Sequence, residues 1–138
     1  YRVSAVAVDA AGNRSPLSTP VSIVIDTAIT SPRGIDLVAA SDTGTSNKDN
    51  RTSLTTPTFT GSAKPNSTVE VYGARDDAAA ILLGTATADG KGGWRFTVPT
   101  AKALAAGNYA ITAIASDLAG NRSPLSAPLT IEIGAAFA

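Results

Sequence analysis

Cysteine, histidine and methionine are all missing from this 138-residue chain. Without Cys or His there is no disulfide, no Cys–His or Ser–His–Asp catalytic group, and no zinc site of the usual ligands. Aromatic residues make up only 5 % of the chain, so a core must be filled mainly by aliphatic side chains and alanine. Net charge is absent too: 11 basic side chains balance 11 acidic ones, and the basic ones are scattered. Nucleic-acid binding needs a concentrated positive patch and is not expected. No apolar run approaches the roughly 20 residues of a membrane-spanning helix, and the opening Tyr1-Arg2-Val3 is no signal peptide. What is present is an apolar content of 43 %, enough for a packed core, and an acidic set of nine Asp against two Glu, Glu70 and Glu132. Most of these Asp lie in Gly-, Ser- and Asn-rich stretches.

The chain repeats itself. Tyr1 to Ile25 reads YRVSAVAVDAAGNRSPLSTPVSIVI, and Tyr109 to Ile133 reads YAITAIASDLAGNRSPLSAPLTIEI. Fifteen of these 25 positions are identical at an offset of 108, without a gap, and the block Ala11 to Ser18 recurs unchanged as Ala119 to Ser126. The unit is therefore about 108 residues. The chain holds the last strand pair of one unit, residues 1–26, a complete unit, 27–134, and a tail, 135–138. A period this long points to beads on a string, each with its own core.

Within the complete unit the pattern is strand-like throughout. Trp94-Arg-Phe-Thr-Val98 alternates apolar and polar with period two, and Tyr109, Ile111, Ala113 and Ala115 line one face of another strand. Seven strands are expected at about 35–40, 56–62, 68–75, 80–87, 93–99, 108–117 and 127–133, with Gly, Pro, Asn and Asp clusters between them. Thr100 to Ala106 is too short for an independent helix and reads as one turn joining strands of opposite sheets. Pro20 and Pro128 each open a final strand, where a missing amide is tolerated. Leu104-Ala-Ala-Gly107-Asn-Tyr109 resembles the tyrosine corner of immunoglobulin-like sandwiches, in which the hydroxyl bonds back to the backbone upstream. The fold class is thus all-β, a seven-stranded antiparallel Ig-like β-sandwich in a tandem array. Its buried set should include Trp94, Phe96, Val98, Tyr109, Ile111 and Ile131. Trp94 is read as a core anchor rather than a sugar-stacking platform.

Asp117-Leu-Ala-Gly-Asn121-Arg-Ser123, Ala88-Asp-Gly-Lys-Gly-Gly-Trp94 and Ser41-Asp-Thr-Gly44-Thr-Ser-Asn-Lys-Asp49 together resemble the bacterial Ig-like repeats of giant type I-secreted, biofilm-associated adhesins. Pro57-Thr-Phe-Thr-Gly61 and Tyr109 fit the same pattern, so the resemblance spans essentially the whole chain. It implies a non-catalytic stalk unit at the bacterial cell surface or secreted from it, partnered by neighbouring Ig-like repeats. Contact with a host or abiotic surface would fall to another part of the protein. It also implies calcium near the domain junctions, as a stiffener. Two alternatives stay open: a ligand- or glycan-binding Ig-like module, and an accessory module of an extracellular enzyme.

Calcium takes six to eight oxygens, and loop carboxylates supply the charge. Asp26 lies at the linker, and the loop after strand six of an Ig-like unit faces that linker, which sets Asp117 and Asn121 beside Asp26. The loop 41–51 points to the opposite end and carries Asp42 and Asp49. These five are the candidate metal ligands, against the alternative of solvated charges and Asp residues capping their own turns. The spacing lacks an EF-hand frame, and the repeat mate of Asp26 is Gly134. Gly90-Lys-Gly-Gly93 lacks the spacing and helix of a phosphate-binding loop and reads as a hairpin turn. Asp76 and Asp77 read as a solvated loop, and the Asn-x-Ser/Thr triplets as compositional. The apolar face of residues 1–25, Tyr1, Val3, Ala5 and Ala7, needs a cover, because a lone hairpin is marginal in water. That cover is either a longer array or strand pairing with a second chain.

Overall fold

A computed structural model describes residues 1–44 and 46–134; the expected tail, 135–138, lies outside the described residues. In chain order the strands are β1 (Arg2–Val3), β2 (Val21–Ser22), β3 (Arg33–Leu37), β4 (Arg51–Thr52), β5 (Thr58–Ser62), β6 (Thr68–Arg75), β7 (Ile81–Thr87), β8 (Gly93–Thr97), β9 (Gly107–Ser116) and β10 (Leu129–Ile133). One 3-10 turn, Thr100–Lys102, joins β8 to β9. From β3 onward the strands form a five-stranded sheet, ordered β4-β10-β9-β6-β7, and a three-stranded sheet, ordered β3-β5-β8. The 3-10 turn therefore carries the chain from one sheet to the other, as its length demanded.

The seven expected strands are all present, with two differences. The first is shifted toward the N-terminus, Arg33–Leu37 rather than 35–40, because the chain turns at once after Leu37: the Ser41 and Asp42 amides both bond to the Val38 carbonyl, at 2.8 and 3.0 Å. The second is an additional two-residue strand, β4, which runs parallel to β10 with Glu132 opposite Arg51 and Ile133 opposite Thr52. Two residues carry no periodicity, so this strand leaves no mark in the sequence.

The core lies between the sheets. Trp94, Phe96 and Val98 point inward from one side, Tyr109, Ile111 and Ala113 from the other, with Phe59, Val69, Val71, Leu83 and Ile131 among them. All six residues singled out from the sequence are buried. Each large ring on β8 is seated on a glycine. A Cβ at Gly61, the cross-strand partner of Trp94, would fall 2.5 Å from the indole, and one at Gly84 would fall 2.7 Å from the Phe96 ring. A chain poor in aromatics thus uses its rings where a missing side chain leaves room for them. The Tyr109 hydroxyl donates to the Ala105 carbonyl at 2.9 Å, the bond expected of a tyrosine corner.

Residues 1–25 form a separate hairpin in which β1 and β2 pair antiparallel. It copies the local geometry of its repeat mate. The Ser15 amide bonds to the Ala7 carbonyl at 2.8 Å and the Ala7 amide to Ser15 Oγ at 2.9 Å, as Ser123 and Ala115 do at the same distances. Burial is what it lacks. Tyr1 is 84 % exposed where Tyr109 is 6 %, and Val3 is 52 % exposed where Ile111 is fully buried. Among the described residues nothing covers this apolar face.

Candidate functional site

The strand directions give the sandwich two poles. At the entry pole the linker at Asp26 meets the β5–β6 turn and the β9–β10 loop. The latter is built on Asp117, whose Oδ1 accepts the amides of Ala119 and Asn121, both at 3.0 Å. The turn can close because Gly120 adopts φ +87°. An Asp at the head of a loop accepting amides further on is the ordinary use of this residue in turns, and Asp9 does the same for Ala11 and Asn13 in the first hairpin.

Asp117 has a second task. Its Oδ2 accepts Lys64 Nζ at 2.8 Å and Asn121 Nδ2 at 3.1 Å. The same Lys64 ammonium bonds to the Asp26 carboxylate, and Asn121 Nδ2 also donates to the Asp26 carbonyl at 2.7 Å. Further along the linker, Ser31 Oγ donates to the Pro124 carbonyl at 2.9 Å and Pro32 is buried. The linker is thereby tied to the β9–β10 loop along its length. The Asp117 carboxylate is only 8 % exposed. The bonds from Lys64 first, then Asn121, hold its carboxyl down at about 2, since hydrogen bonds to the charged form favour ionisation. The carboxylates in turn raise Lys64.

Arg122 completes the loop. Its guanidinium clasps Glu70 on β6 at 2.8 and 3.2 Å, and Tyr72 donates to the same carboxylate at 2.9 Å. Glu70 is held below its ordinary value chiefly by Arg122. Ser123 and Ser126 bond back to the buried Ala115 and Ala113 amides, each at 2.9 Å. So the Asp117-Leu-Ala-Gly-Asn-Arg-Ser-Pro-Leu-Ser126 stretch is a clamp: Asn121 reaches the linker directly and Asp117 through Lys64, Arg122 reaches the neighbouring strand, and both Ser reach the strand before the loop.

At the exit pole, β10 is carried to its end by β4: the Glu132 amide bonds to the Asn50 carbonyl at 3.0 Å and the Gly134 amide to the Thr52 carbonyl at 2.9 Å. Asp42 lies beneath this loop and is 4 % exposed. Its Oδ2 accepts the Asn50 amide at 3.1 Å, while its buried Oδ1 has no hydrogen-bond partner among the described residues. Burial, opposed by the Asn50 amide and reinforced by the Asp49 carboxylate, pushes the Asp42 carboxyl up. Asp49 itself is exposed and accepts the Arg51 amide at 3.2 Å.

The structure therefore brings Asp26, Asp117 and Asn121 together at one pole and sets Asp42 beside Asp49 at the other. Among the described residues, no three His, Cys, Asp or Glu side chains cluster as a metal site. The two poles fit a cation differently. At the entry pole an ammonium already lies against both carboxylates and Asn121 occupies the Asp26 carbonyl, so a divalent ion does not fit there while Lys64 holds its place. At the exit pole a buried carboxylate oxygen that no described residue bonds, beside a second carboxylate, is the arrangement a hard cation satisfies. The sequence reading missed Lys64, Arg122 and Glu70. Arg122 carried a signal, since it lies inside the unchanged eight-residue block.

Two sheets in this order, with a tyrosine corner at the crossing between them, define an immunoglobulin-like β-sandwich. Residues 29–134 match the family model of the bacterial Ig-like domain, and the chain belongs to that family. No curated protein matches the chain. Among solved structures it is similar to the crystal structure of a tetra-tandem repeat in the extending region of a large adhesion protein, with a TM-score of 0.51 and 21 % identity. The match covers 95 % of this chain and 31 % of that one, and it supports the fold. Among the described residues, no helix is long and apolar enough to cross a membrane.

Proposed function

We propose that this unit is a non-catalytic spacer in the stalk of a bacterial surface or secreted adhesin, and that it acts outside the cell. One observation carries the reading: entry and exit lie at opposite poles, each gripped by loops of the sandwich. The linker is held by Asn121, Lys64 and Pro124 at one end, and β10 is paired to Gly134 at the other. A unit held in this way transmits direction from one neighbour to the next. The similarity to an extending region of an adhesion protein, and a unit-and-a-quarter length against a four-fold repeat, support the same reading. Partners are then the neighbouring Ig-like repeats, and the bare face of residues 1–25 is covered by the rest of its own unit rather than by a second chain.

Calcium belongs to this proposal at the exit pole. Asp42 and Asp49 would hold it, with backbone carbonyls or water completing the shell, and its chemistry would be charge neutralisation beneath the loop that carries β4. A glycan-binding role finds no support in Trp94, which is buried in the core. The test is to exchange this unit, in its parent array, for an unrelated sandwich of equal length. Adhesion of the bearing cell should be unchanged by exchange and should fall when the unit is deleted without replacement. Loss of adhesion on exchange at constant length would make the unit a receptor module instead.

A further inference from the structure

We propose that Lys64 is the resident cation of the entry pole, bridging the linker carboxylate of Asp26 to Asp117 where a divalent metal would otherwise stand. The junction then stays fixed with or without calcium. Four features of the geometry carry this. The ammonium bonds to both carboxylates at once. Every oxygen of the nearly buried Asp117 carboxylate is used: Oδ1 by two amides, Oδ2 by Lys64 and Asn121. The Asp26 carbonyl, an oxygen a metal shell would need, is taken by Asn121 Nδ2 at 2.7 Å. Finally, the turn that presents Lys64 is itself fixed, because Ser67 bonds to the Lys64 carbonyl through its amide at 3.1 Å and through Oγ at 2.6 Å.

The contrast with Asp42 is what gives the arrangement meaning. Among the described residues, one pole leaves a buried carboxylate oxygen with no partner and the other leaves none. The inference stands apart from the calcium reading of the exit pole. It also limits where the device recurs: the repeat mate of Asp26 is Gly134, which has no carboxylate to offer a lysine.

The test uses the 138-residue chain and backbone 15N relaxation in chelator and in millimolar calcium, read at Asp26 to Ala28. In chelator the linker amides should be as ordered as the sandwich, with order parameters of about 0.85. Calcium should leave the Asp26 and Asp117 signals where they are. Lys64→Gln should drop the linker to below about 0.6 in both conditions, and Asp26→Asn, which alters only the linker, should do the same. Lys64→Glu gathers three carboxylates and should make the linker loose in chelator and ordered in calcium. A wild-type linker that is loose in chelator and tightens in calcium would overturn the proposal, as would a Lys64→Gln linker as ordered as the wild type. Calcium-induced shifts at Asp42 and Asp49 bear on the other pole alone; their absence would defeat the calcium reading there and leave the latch intact.

Discussion

Asp42 and Asp117 are both loop aspartates of one sandwich, yet their surroundings drive them in opposite directions. Asp117 is held at about 2 by Lys64 and Asn121, below its ordinary 3.8. A depressed folded-state value means that its contribution to stability is complete above the ordinary value and fades as pH falls toward 2. Asp42 is raised by burial and by Asp49, so its contribution has the opposite sign: it is present below the ordinary value and lost as pH rises through the raised one. With no cation, burial works against the charged form of Asp42, and no described residue bonds its Oδ1. Asp42→Asn should therefore raise the melting temperature in chelator, by about 1 kcal/mol of relieved desolvation or roughly 4 °C, and should remove any response to calcium. Calorimetric scans of both proteins with and without calcium decide this. A variant that melts lower in chelator would show that the carboxylate is satisfied without a cation.

The elements show which features a sequence can announce. The long strands did so because alternation over five or more residues places one face in the core. The tyrosine corner was legible because a Gly-Asn turn stands directly before Tyr109 and after a short helical turn. The entry-pole trio was legible because, in an Ig-like order of strands, the loop after strand six faces the linker and sets Asp117 and Asn121 beside Asp26. Lys64 was not: it is one lysine in an ordinary turn, and its meaning lies in a contact 53 residues away in the chain. Nor was β4, which has no period to read. The loop clamp makes its own claim. Ser126→Ala removes the Oγ that accepts the buried Ala113 amide at 2.9 Å, and an orphaned buried amide costs about 1–3 kcal/mol. Ser18→Ala removes the matching bond in the first hairpin, where the Ala5 amide is exposed to water. Urea unfolding should show the first loss and almost none of the second; equal losses would mean that the serines act through something other than the buried amide.

At the scale of the molecule, two differently built poles turn a small sandwich into a link. The entry pole uses charges of the chain itself, and the exit pole presents a buried carboxylate with one oxygen that no described residue bonds. The long axis follows β9, ten residues from Gly107–Ser116, so with its loops each unit spans roughly 40 Å at about 3.3 Å per strand residue. A spacer must add that length each time it is repeated, and a binding module need not. Small-angle scattering from chains of one, two and three complete 108-residue units tests this most directly. The maximum dimension should grow by roughly 40 Å per added unit, with the cross-section unchanged. A maximum dimension that grows much less than this, with the cross-section thickening as units fold back on one another, would contradict the account.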